Sequence, residues 1–306
     1  MSGGIDVIIK SWNAIDYTLA TLQSIREKTK LPHKITVVDN GSSSETLGIL
    51  EHQKDIILIK HGKNLGPGEA AKTGFNATSS KYLVLMDNDV VVTEGWLDKL
   101  LSDIDNDTGV VAPLRYGSRL KYPYSNRSSR IVWENIKDKN PQLSLSDQLS
   151  LFTRNNSIEH FEKDFIHTNN PETERIIAPP GFVSTSLVLL NRNVINNSGG
   201  ISSDEFTGYG GEDVDMCWRI GESGYNIIRS AKVYVHHFEH SSMEGNKISI
   251  RKSLTESNMV LFKKWGHKTN EWVKKIEAIG GKNKIDNYPF IKLFSDIKND
   301  RTAEYF

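Results

Sequence analysis

Regular alternation of short apolar segments with helical patterns is the feature that most constrains how this chain can fold. Four segments of the first 112 residues have the length and β-branched content of strands, at 5–9, 35–38, 56–59 and 82–86. Each is followed by a stretch with helical spacing, near 14–28, 44–52, 66–77 and 95–104. This order predicts an α/β fold in which a mostly parallel sheet is covered by helices on both faces.

Polar residues that directly follow these strands are the first candidates for a binding site, because ligands of open parallel sheets bind beyond the carboxyl ends of the strands. Asp39 follows the second strand, and Asp87-Asn88-Asp89 follows the fourth. Side chains at i and i+2 of an extended chain point the same way, so Asp87 and Asp89 can converge on one point. Paired carboxylates suit Mg²⁺ or Mn²⁺ carrying a phosphate, but a turn capped by Asp and Asn is an equal alternative.

A second acidic group follows a glycine-rich segment, where Glu212, Asp213 and Asp215 fall in the first turn of a predicted helix at 212–223. Acids favour a helix N-terminus through the macrodipole, so capping is one interpretation. A carboxylate at a helix start in a cleft could instead act as a general base. Two histidines, His236 and His237, end a later apolar segment and face opposite sides of a strand, so at most one would reach a shared metal site.

Composition narrows the classes of function. The chain has 38 Lys and Arg against 38 Asp and Glu, which argues against a general nucleic-acid binder. One cysteine, Cys217, excludes an intrachain disulfide and a cysteine-cluster zinc site. No apolar run approaches the ~20 residues of a membrane helix, and the N-terminal residues lack a signal-peptide pattern. A cytoplasmic location is the resulting expectation.

Six motifs follow one another along the chain. They are Ser11-Trp12-Asn13, Val38-Asp39-Asn40-Gly41-Ser42-Ser43, Asn64-Leu65-Gly66, Asp87-Asn88-Asp89, the tract from Gly199-Gly200 through Glu212-Asp213-Val214-Asp215 to Gly224-Tyr225, and the histidine that follows. In this order they resemble glycosyltransferase family 2, inverting enzymes with the GT-A fold, a Rossmann-like mostly parallel sheet flanked by helices. The resemblance covers about 5–92 and 180–242. The family often has Pro where Lys10 stands and Asp where Ser44 stands, both near the expected nucleotide pocket.

The resemblance implies a role for each matching position. Asp213 would be the general base that removes the acceptor's proton, with Glu212 beside it holding the acceptor or the geometry of the site. Asp87, Asp89 and one of His236 and His237 would hold Mn²⁺ or Mg²⁺. The nucleotide-sugar would be bound by Ser11, Asn13, Asp39, Asn64, Asp87 and Asn88, with Asp39 on the base, which is expected to be uracil.

The resemblance, together with the polar composition of 115–177 and the helical pattern from 248 onward, predicts a domain organisation. A glycosyltransferase domain would span 1–242, with a nucleotide-sugar-binding half at 1–112, an insertion at 115–177 and an acceptor and catalytic half at 178–242. Residues 243–306 would form a helical C-terminal extension, whose lysines either form a solvated face or contact an anionic membrane surface peripherally. The aromatic residues of the insertion could stack on sugar rings or simply pack in a core; they include Tyr116, Tyr122, Tyr124 and Trp133.

The leading interpretation is a metal-dependent, inverting transfer of a sugar from a nucleotide-sugar donor to a saccharide or glycoconjugate acceptor. Two alternatives stay open. A sugar-1-phosphate nucleotidyltransferase would need a glycine-rich, basic loop after the first strand, where this chain has Lys10-Ser11-Trp12-Asn13. A non-catalytic glycan-binding relative would tend to lose the acidic groups and the histidine, which this chain retains.

Overall fold

A computed structural model describes residues 4–115, 126–238, 250–280 and 288–299. The strands within these ranges are β1 (Ile5–Ser11), β2 (His33–Asp39), β3 (Ile56–Lys60), β4 (Tyr82–Asp87), β5 (Val90–Val91), β6 (Thr108–Arg115), β7 (Glu174–Arg175), β8 (Leu187–Asn191) and β9 (Asn226–His237). The helices are α1 (Ile15–Lys28), α2 (Ser44–Glu51), α3 (Pro67–Asn76), α4 (Trp96–Leu101), α5 (Asn126–Lys139), α6 (Leu145–Phe152), α7 (Ile158–Asn169), α8 (Arg192–Asn197), α9 (Glu212–Glu222), α10 (Ile250–Trp265), α11 (Thr269–Gly280) and α12 (Pro289–Lys298).

The strands form one sheet in the order β3-β2-β1-β4-β8-β6-β9-β5, with β7 beside β9. Strands β3, β2, β1 and β4 are parallel, as the alternating pattern predicts. All residues of β1 are buried, because helices cover both faces of this part of the sheet. The register sets Ser11 beside Asp39 and Lys10 beside Asp87, so the polar ends of three strands meet at one edge.

Strand β8 runs antiparallel between β4 and β6, which makes the sheet mixed. Because of this direction, the residues that precede β8 lie beside the end of β4. Met86 pairs with Leu187, and the backbone N–H of Asp87 donates to the carbonyl of Ser186 at 2.9 Å. The loop that leads into β8 therefore lies at the same edge of the sheet as the ends of β1, β2 and β4.

Strands β6 and β9 differ from what the sequence pattern predicts. Strand β6 is not among the predicted strands. It contains Pro113, which lies where the register of β6 with β9 shifts between Ala112 and Leu114, as expected for a proline in a sheet. Strand β9 is continuous, whereas the apolar pattern predicts two short strands at 227–228 and 233–235. Its end carries His237 to the edge at which β4 ends.

The described part of the insertion, helices α5 to α7, packs on the end of the sheet. Trp133 is buried, at 1% exposure, so of its two possible roles the structure shows core packing. Its neighbours in this cluster are Leu114, Phe152, Phe161, Phe165, Tyr234 and Phe238. Tyr116, Tyr122 and Tyr124 lie outside the described residues.

The C-terminal helices pack against α9 through aromatic side chains and one buried carboxylate. Trp218 of α9 contacts the rings of Trp265 and Trp272 at centroid distances of 5.8 and 4.7 Å. Asp215 is fully buried and accepts hydrogen bonds from Arg219 Nε and Trp265 Nε1, both at 2.8 Å. Asp215 therefore anchors α10 to α9. None of the helices in the described ranges has the length and apolar character of a membrane span.

Candidate active site

Two carboxylates and a histidine meet at the sheet edge. Asp87, Asp89 and His237 each offer a ligand atom, and these atoms lie within 4.8 Å of one another. Asp89 Oδ1 is 3.1 Å and Asp87 Oδ2 is 3.8 Å from His237 Nε2. Burial lowers the pKa of His237, but the Asp89 carboxylate outweighs it, so the net pKa is raised. Oxygen and imidazole ligands of this kind could hold a divalent metal ion.

The neighbouring histidine, His236, lies on the other face of β9. Its ring packs against Phe152 and Phe238, each at a centroid distance of 4.7 Å, and Tyr234 Oη lies 3.2 Å from its Nδ1. Burial lowers the pKa of His236 to about 3, so the ring is neutral at physiological pH. Because side chains alternate along a strand, His237 joins the carboxylates and His236 does not. The expectation that His236 is an alternative metal ligand is not supported by its position.

Asp39 lies at the end of β2, and only one of its two carboxylate oxygens accepts hydrogen bonds from the described residues. Its Oδ2 accepts hydrogen bonds from the backbone N–H groups of Gly41 and Ser42, both at 3.1 Å. Its Oδ1 is buried and accepts no hydrogen bond from the described residues. A buried acceptor without a donor costs about 1–3 kcal/mol, so a ligand that donates here would bind favourably. Gly41 has φ +84° and lies so close to Lys63 that a Cβ would stand 2.4 Å from backbone, so this turn requires glycine.

The three asparagines expected at the nucleotide end hold the loops that surround it. Asn13 Oδ1 and Asn64 Oδ1 each accept from a backbone N–H, and Asn88 donates to a hydroxyl of α1. Ser11 Oγ lies 3.5 Å from the same hydroxyl. Ser11 and Asn88 also line the cleft described below. The bonds run from Ser43 N to Asn13 Oδ1 (2.8 Å), from Gly66 N to Asn64 Oδ1 (2.8 Å) and from Asn88 Nδ2 to Thr18 Oγ1 (2.8 Å).

The acidic pair Glu212 and Asp213 begins α9. Gly211, with φ +89°, is the N-cap and makes no side-chain capping bond. Asp213 Oδ1 accepts from the backbone N–H of Val214 at 2.8 Å, whereas Glu212 Oε2 is buried and accepts no bond from the described residues. Burial, reinforced by the charge of Asp213, raises the pKa of Glu212 to about 7, and burial also raises the pKa of Asp213. Capping therefore leaves Glu212 Oε2 without a donor among the described residues.

One cleft of about 260 Å³ brings the two acidic groups together. Asp87, Asp89 and His237 line it, and so do Glu212 and Asp213. The carboxylates at the strand ends and the carboxylates at the helix start thus face one enclosed space, from separate elements of the fold. Such a cleft can hold a phosphorylated ligand with its metal at one wall and a proton acceptor at another.

Comparison with known proteins gives the family. Residues 6–164 match the model described as glycosyl transferase family 2, and residues 171–241 match the model described as N-terminal domain of galactosyltransferase. The first match alone spans more than half of the 306 residues. The chain belongs to glycosyltransferase family 2. It is therefore a glycosyltransferase, and the resemblance of its motifs to that family is confirmed.

Curated relatives of this glycosyltransferase are longer proteins. The chondroitin synthase of Pasteurella multocida (strain Pm70) is 26% identical over 250 residues, which is 76% of this chain and 24% of that protein. The pre-mycofactocin glycosyltransferase of Mycobacterium tuberculosis (strain CDC 1551 / Oshkosh) is 27% identical over 210 residues, 67% of this chain and 37% of that protein. The chain spans well under half the length of either relative.

Solved structures confirm the expected GT-A fold of this glycosyltransferase. GalNAc-T7 with UDP, GalNAc and Mn²⁺ has a TM-score of 0.53 at 15% identity, covering 78% of this chain and 44% of that chain. The mannosyltransferase PcManGT from Pyrobaculum calidifontis, in complex with GDP-Man and Mn²⁺, has a TM-score of 0.50 at 13% identity, covering 99% and 88%. At these identities the likeness shows the fold alone.

Two basic residues to which the sequence analysis gave no role join the site of this glycosyltransferase, and of these only Lys10 was expected near it. Lys10 Nζ lies 2.9 Å from Asp87 Oδ1. Arg115, at the end of β6, donates from Nη1 to His237 Nδ1 at 3.2 Å. Their sequence positions could have indicated this, since each is a polar residue at or near the end of a strand. Neither residue belongs to one of the six motifs, so the sequence assigned no function to them.

The C-terminal helix α10 also borders the cleft of this glycosyltransferase. Ser253 Oγ accepts from the backbone N–H of Tyr209 at 3.0 Å, and Ser257 Oγ donates to the Tyr209 carbonyl at 2.9 Å. Leu254, between them, lines the cleft. The extension predicted at 243–306 therefore supplies part of the wall, and it holds the glycine-rich loop that precedes α9.

Proposed function

We propose that this glycosyltransferase moves a sugar from a uridine-diphosphate sugar to a hydroxyl of a saccharide or glycoconjugate acceptor, with inversion at the sugar carbon. The observation that carries the proposal is the cleft in which Asp87, Asp89 and His237 face the Glu212–Asp213 pair. One group has the chemistry of a metal site for a diphosphate, and the other has the chemistry of a general base near neutral pH. A metal-dependent, inverting glycosyl transfer uses both.

The residues at the strand ends fit Mn²⁺ or Mg²⁺. Two carboxylates supply hard oxygen ligands, and His237 adds a nitrogen that Mn²⁺ accepts. A bound divalent ion would neutralise the negative charge that develops on the departing diphosphate. The chain's own part is orientation, since Lys10 holds one oxygen of Asp87.

Transfer with inversion needs a proton acceptor on the side of the sugar opposite the leaving diphosphate. The acceptor oxygen would form a bond to the anomeric carbon as the bond from that carbon to the phosphate oxygen breaks, and Asp213 would take the hydroxyl proton. A base must be ionised and yet basic enough to accept this proton, and burial raises the pKa of Asp213 toward that range. Its origin on α9, away from the strand-end carboxylates, supports an opposite-face position.

The proposed binding of the nucleotide base depends on Asp39. A uracil ring offers an N–H donor, and Asp39 Oδ1 is a buried acceptor that the described residues leave without a donor. Asn40, the next residue, lines the cleft, and so do Trp12 and Tyr209, whose ring centroids are 6.2 Å apart and which add aromatic surface. Together these features favour a nucleotide base beside β2.

The Asp39→Asn variant is expected to weaken UDP binding by roughly 10- to 100-fold, because a hydrogen bond to a charged acceptor is lost. Isothermal titration calorimetry with Mn²⁺ present measures this. Asp6→Asn is the matched control: Asp6 is buried and also accepts two backbone N–H bonds, from Ser79 and Ser80, at the opposite edge of the sheet. Equal UDP affinity in D39N and the wild type would contradict the assignment of Asp39 to the base.

A further inference from the structure

A lysine is buried in the wall of the cleft. Lys10 is 8% exposed and lies at the end of β1, with its Nζ 2.9 Å from Asp87 Oδ1 and 3.4 Å from Thr185 Oγ1. An ammonium group carries three N–H donors, and contacts with the described residues account for two of them. Because Lys10 lines the cleft, the remaining donor is accessible to a bound molecule. The charge itself is retained, since Asp87 offsets the cost of burial and the pKa of Lys10 is raised.

A carboxylate oxygen lines the same cleft without a donor. Glu212 Oε2 is buried and accepts no hydrogen bond from the described residues. Burial raises the pKa of Glu212, and the positive charge of Lys10 opposes that shift, so the two groups lie within electrostatic range of each other. The cleft therefore offers an unused donor and an unused acceptor. A hydroxyl group, which accepts one hydrogen bond and donates another, is the ligand that satisfies both.

We propose that Lys10 and Glu212 together bind one hydroxyl of the donor's sugar, with Lys10 donating to the hydroxyl oxygen and Glu212 accepting the hydroxyl hydrogen. The inference rests on the proposed nucleotide-sugar function and adds a sugar subsite to it. Lys10 is joined to Asp87, which belongs to the group expected to hold the diphosphate end, so the sugar nearest this lysine is the donor's rather than the acceptor's.

The charges around this subsite select a neutral sugar. Lys10 is already paired with Asp87, and Glu212 and Asp213 both line the cleft beside it. A carboxylate on the sugar would face Glu212 and Asp213, and like charges in a partly buried site repel strongly. The subsite therefore fits a hexose or an N-acetylhexosamine in preference to a uronic acid.

The Lys10→Met variant tests the inference, because methionine keeps the length of the side chain and removes its donors. Binding of UDP, UDP-glucose, UDP-galactose, UDP-N-acetylglucosamine, UDP-N-acetylgalactosamine and UDP-glucuronate is measured by calorimetry with Mn²⁺. K10M is expected to weaken UDP binding in the presence of Mn²⁺, because Lys10 orients Asp87, and to weaken the best-bound UDP-sugar by roughly a further 10-fold. Thr185→Val, which removes the hydroxyl that holds Lys10, should shift the same UDP-sugar in the same direction by less.

Lys99→Met is the matched control, since Lys99 forms a similar ion pair, 3.0 Å from the buried Glu162, outside the cleft. K99M should bind UDP and UDP-sugars like the wild type. A melting temperature of K10M close to that of the wild type shows that the variant is folded.

Several results would overturn the inference. Equal weakening of UDP and UDP-sugar by K10M would mean that Lys10 only positions Asp87. Unchanged UDP-sugar binding by K10M would show that Lys10 does not contact the donor's sugar. Preference of the wild type for UDP-glucuronate would contradict selection of a neutral sugar. Wild-type protein that binds no UDP compound would contradict the proposed uridine donor itself, and with it this subsite.

Discussion

Asp213→Asn is expected to lower kcat by about 10²–10⁴-fold and to leave UDP binding unchanged, because it removes a proton acceptor without changing the size of the side chain. Asp213 begins α9 and lines the cleft, and its Oδ1 accepts from the backbone of its own helix, a bond that would keep an asparagine in place. Release of UDP from a UDP-sugar in the presence of an acceptor measures kcat, and calorimetry measures UDP binding.

Asp204→Asn is the matched control for this variant. Asp204 lies in the loop before α9, its side chain is 86% exposed, and it pairs with Lys72 at the surface. Wild-type kcat in D204N and a large loss in D213N would support the base. Full turnover in D213N would show that another group removes the proton.

The same base predicts how the rate depends on pH. Burial raises the pKa of Glu212 to about 7, and burial raises the pKa of Asp213 as well. A carboxyl group with a raised pKa stays protonated to a higher pH and cannot then act as a base, so kcat/KM should rise with pH as the pair loses its protons and then level off. Since the two acids interact, the midpoint belongs to the pair. A profile measured from pH 5 to 9 at saturating Mn²⁺ that is flat would contradict this protonation state.

Asp89→Ala and His237→Ala should each weaken Mn²⁺ binding by at least about 100-fold, since loss of a residue that merely orients a metal ligand already costs about 10- to 100-fold. Asp89 Oδ1 and His237 Nε2 are 3.1 Å apart and belong to the one group of three acidic or histidine residues, within the described ranges, that is arranged to hold a metal. Calorimetry or electron paramagnetic resonance of Mn²⁺, with UDP present, measures the affinity.

His236→Phe is the control that the structure offers. His236 packs among aromatic rings on the other face of β9, and phenylalanine fits such surroundings. H236F should bind Mn²⁺ like the wild type. Loss of metal binding in H236F together with normal binding in H237A would reverse the choice between the two histidines.

The four parallel strands could be predicted because strands buried on both faces form continuous apolar runs that end in polar turns. Their ends therefore also located Asp39, Asp87 and Asp89. Strand β6 was not recognisable in the same way, since Gly109 and Pro113 interrupt its apolar pattern. Strand β9 was split in the sequence pattern by the polar segment 229–232, where Arg229 forms an ion pair with Glu174 of the short neighbouring strand β7.

Features that depend on contacts between distant segments could not be predicted. Alternation showed that His236 and His237 face opposite ways, but which one faces the carboxylates depends on the register of β9, in which His237 pairs with Val90. Asp215 has the same local sequence signal as its two acidic neighbours. Its distinct role becomes visible only when Trp265 and Arg219 contact it. The presence of Lys10 in the site likewise becomes visible only through its ion pair with Asp87.

The central claim is that one cleft binds a nucleoside diphosphate through a metal ion. Melting temperatures of the wild type and of D89A, with UDP, GDP, dTDP, CMP or UTP and with or without Mn²⁺, test it most directly. A ligand at 100 times its dissociation constant adds about 2.7 kcal/mol to the free energy of unfolding, enough for a clear shift. We predict that UDP raises the melting temperature of the wild type only with Mn²⁺ and does not raise that of D89A. No shift with any nucleotide, or an equal shift without metal, would contradict the claim.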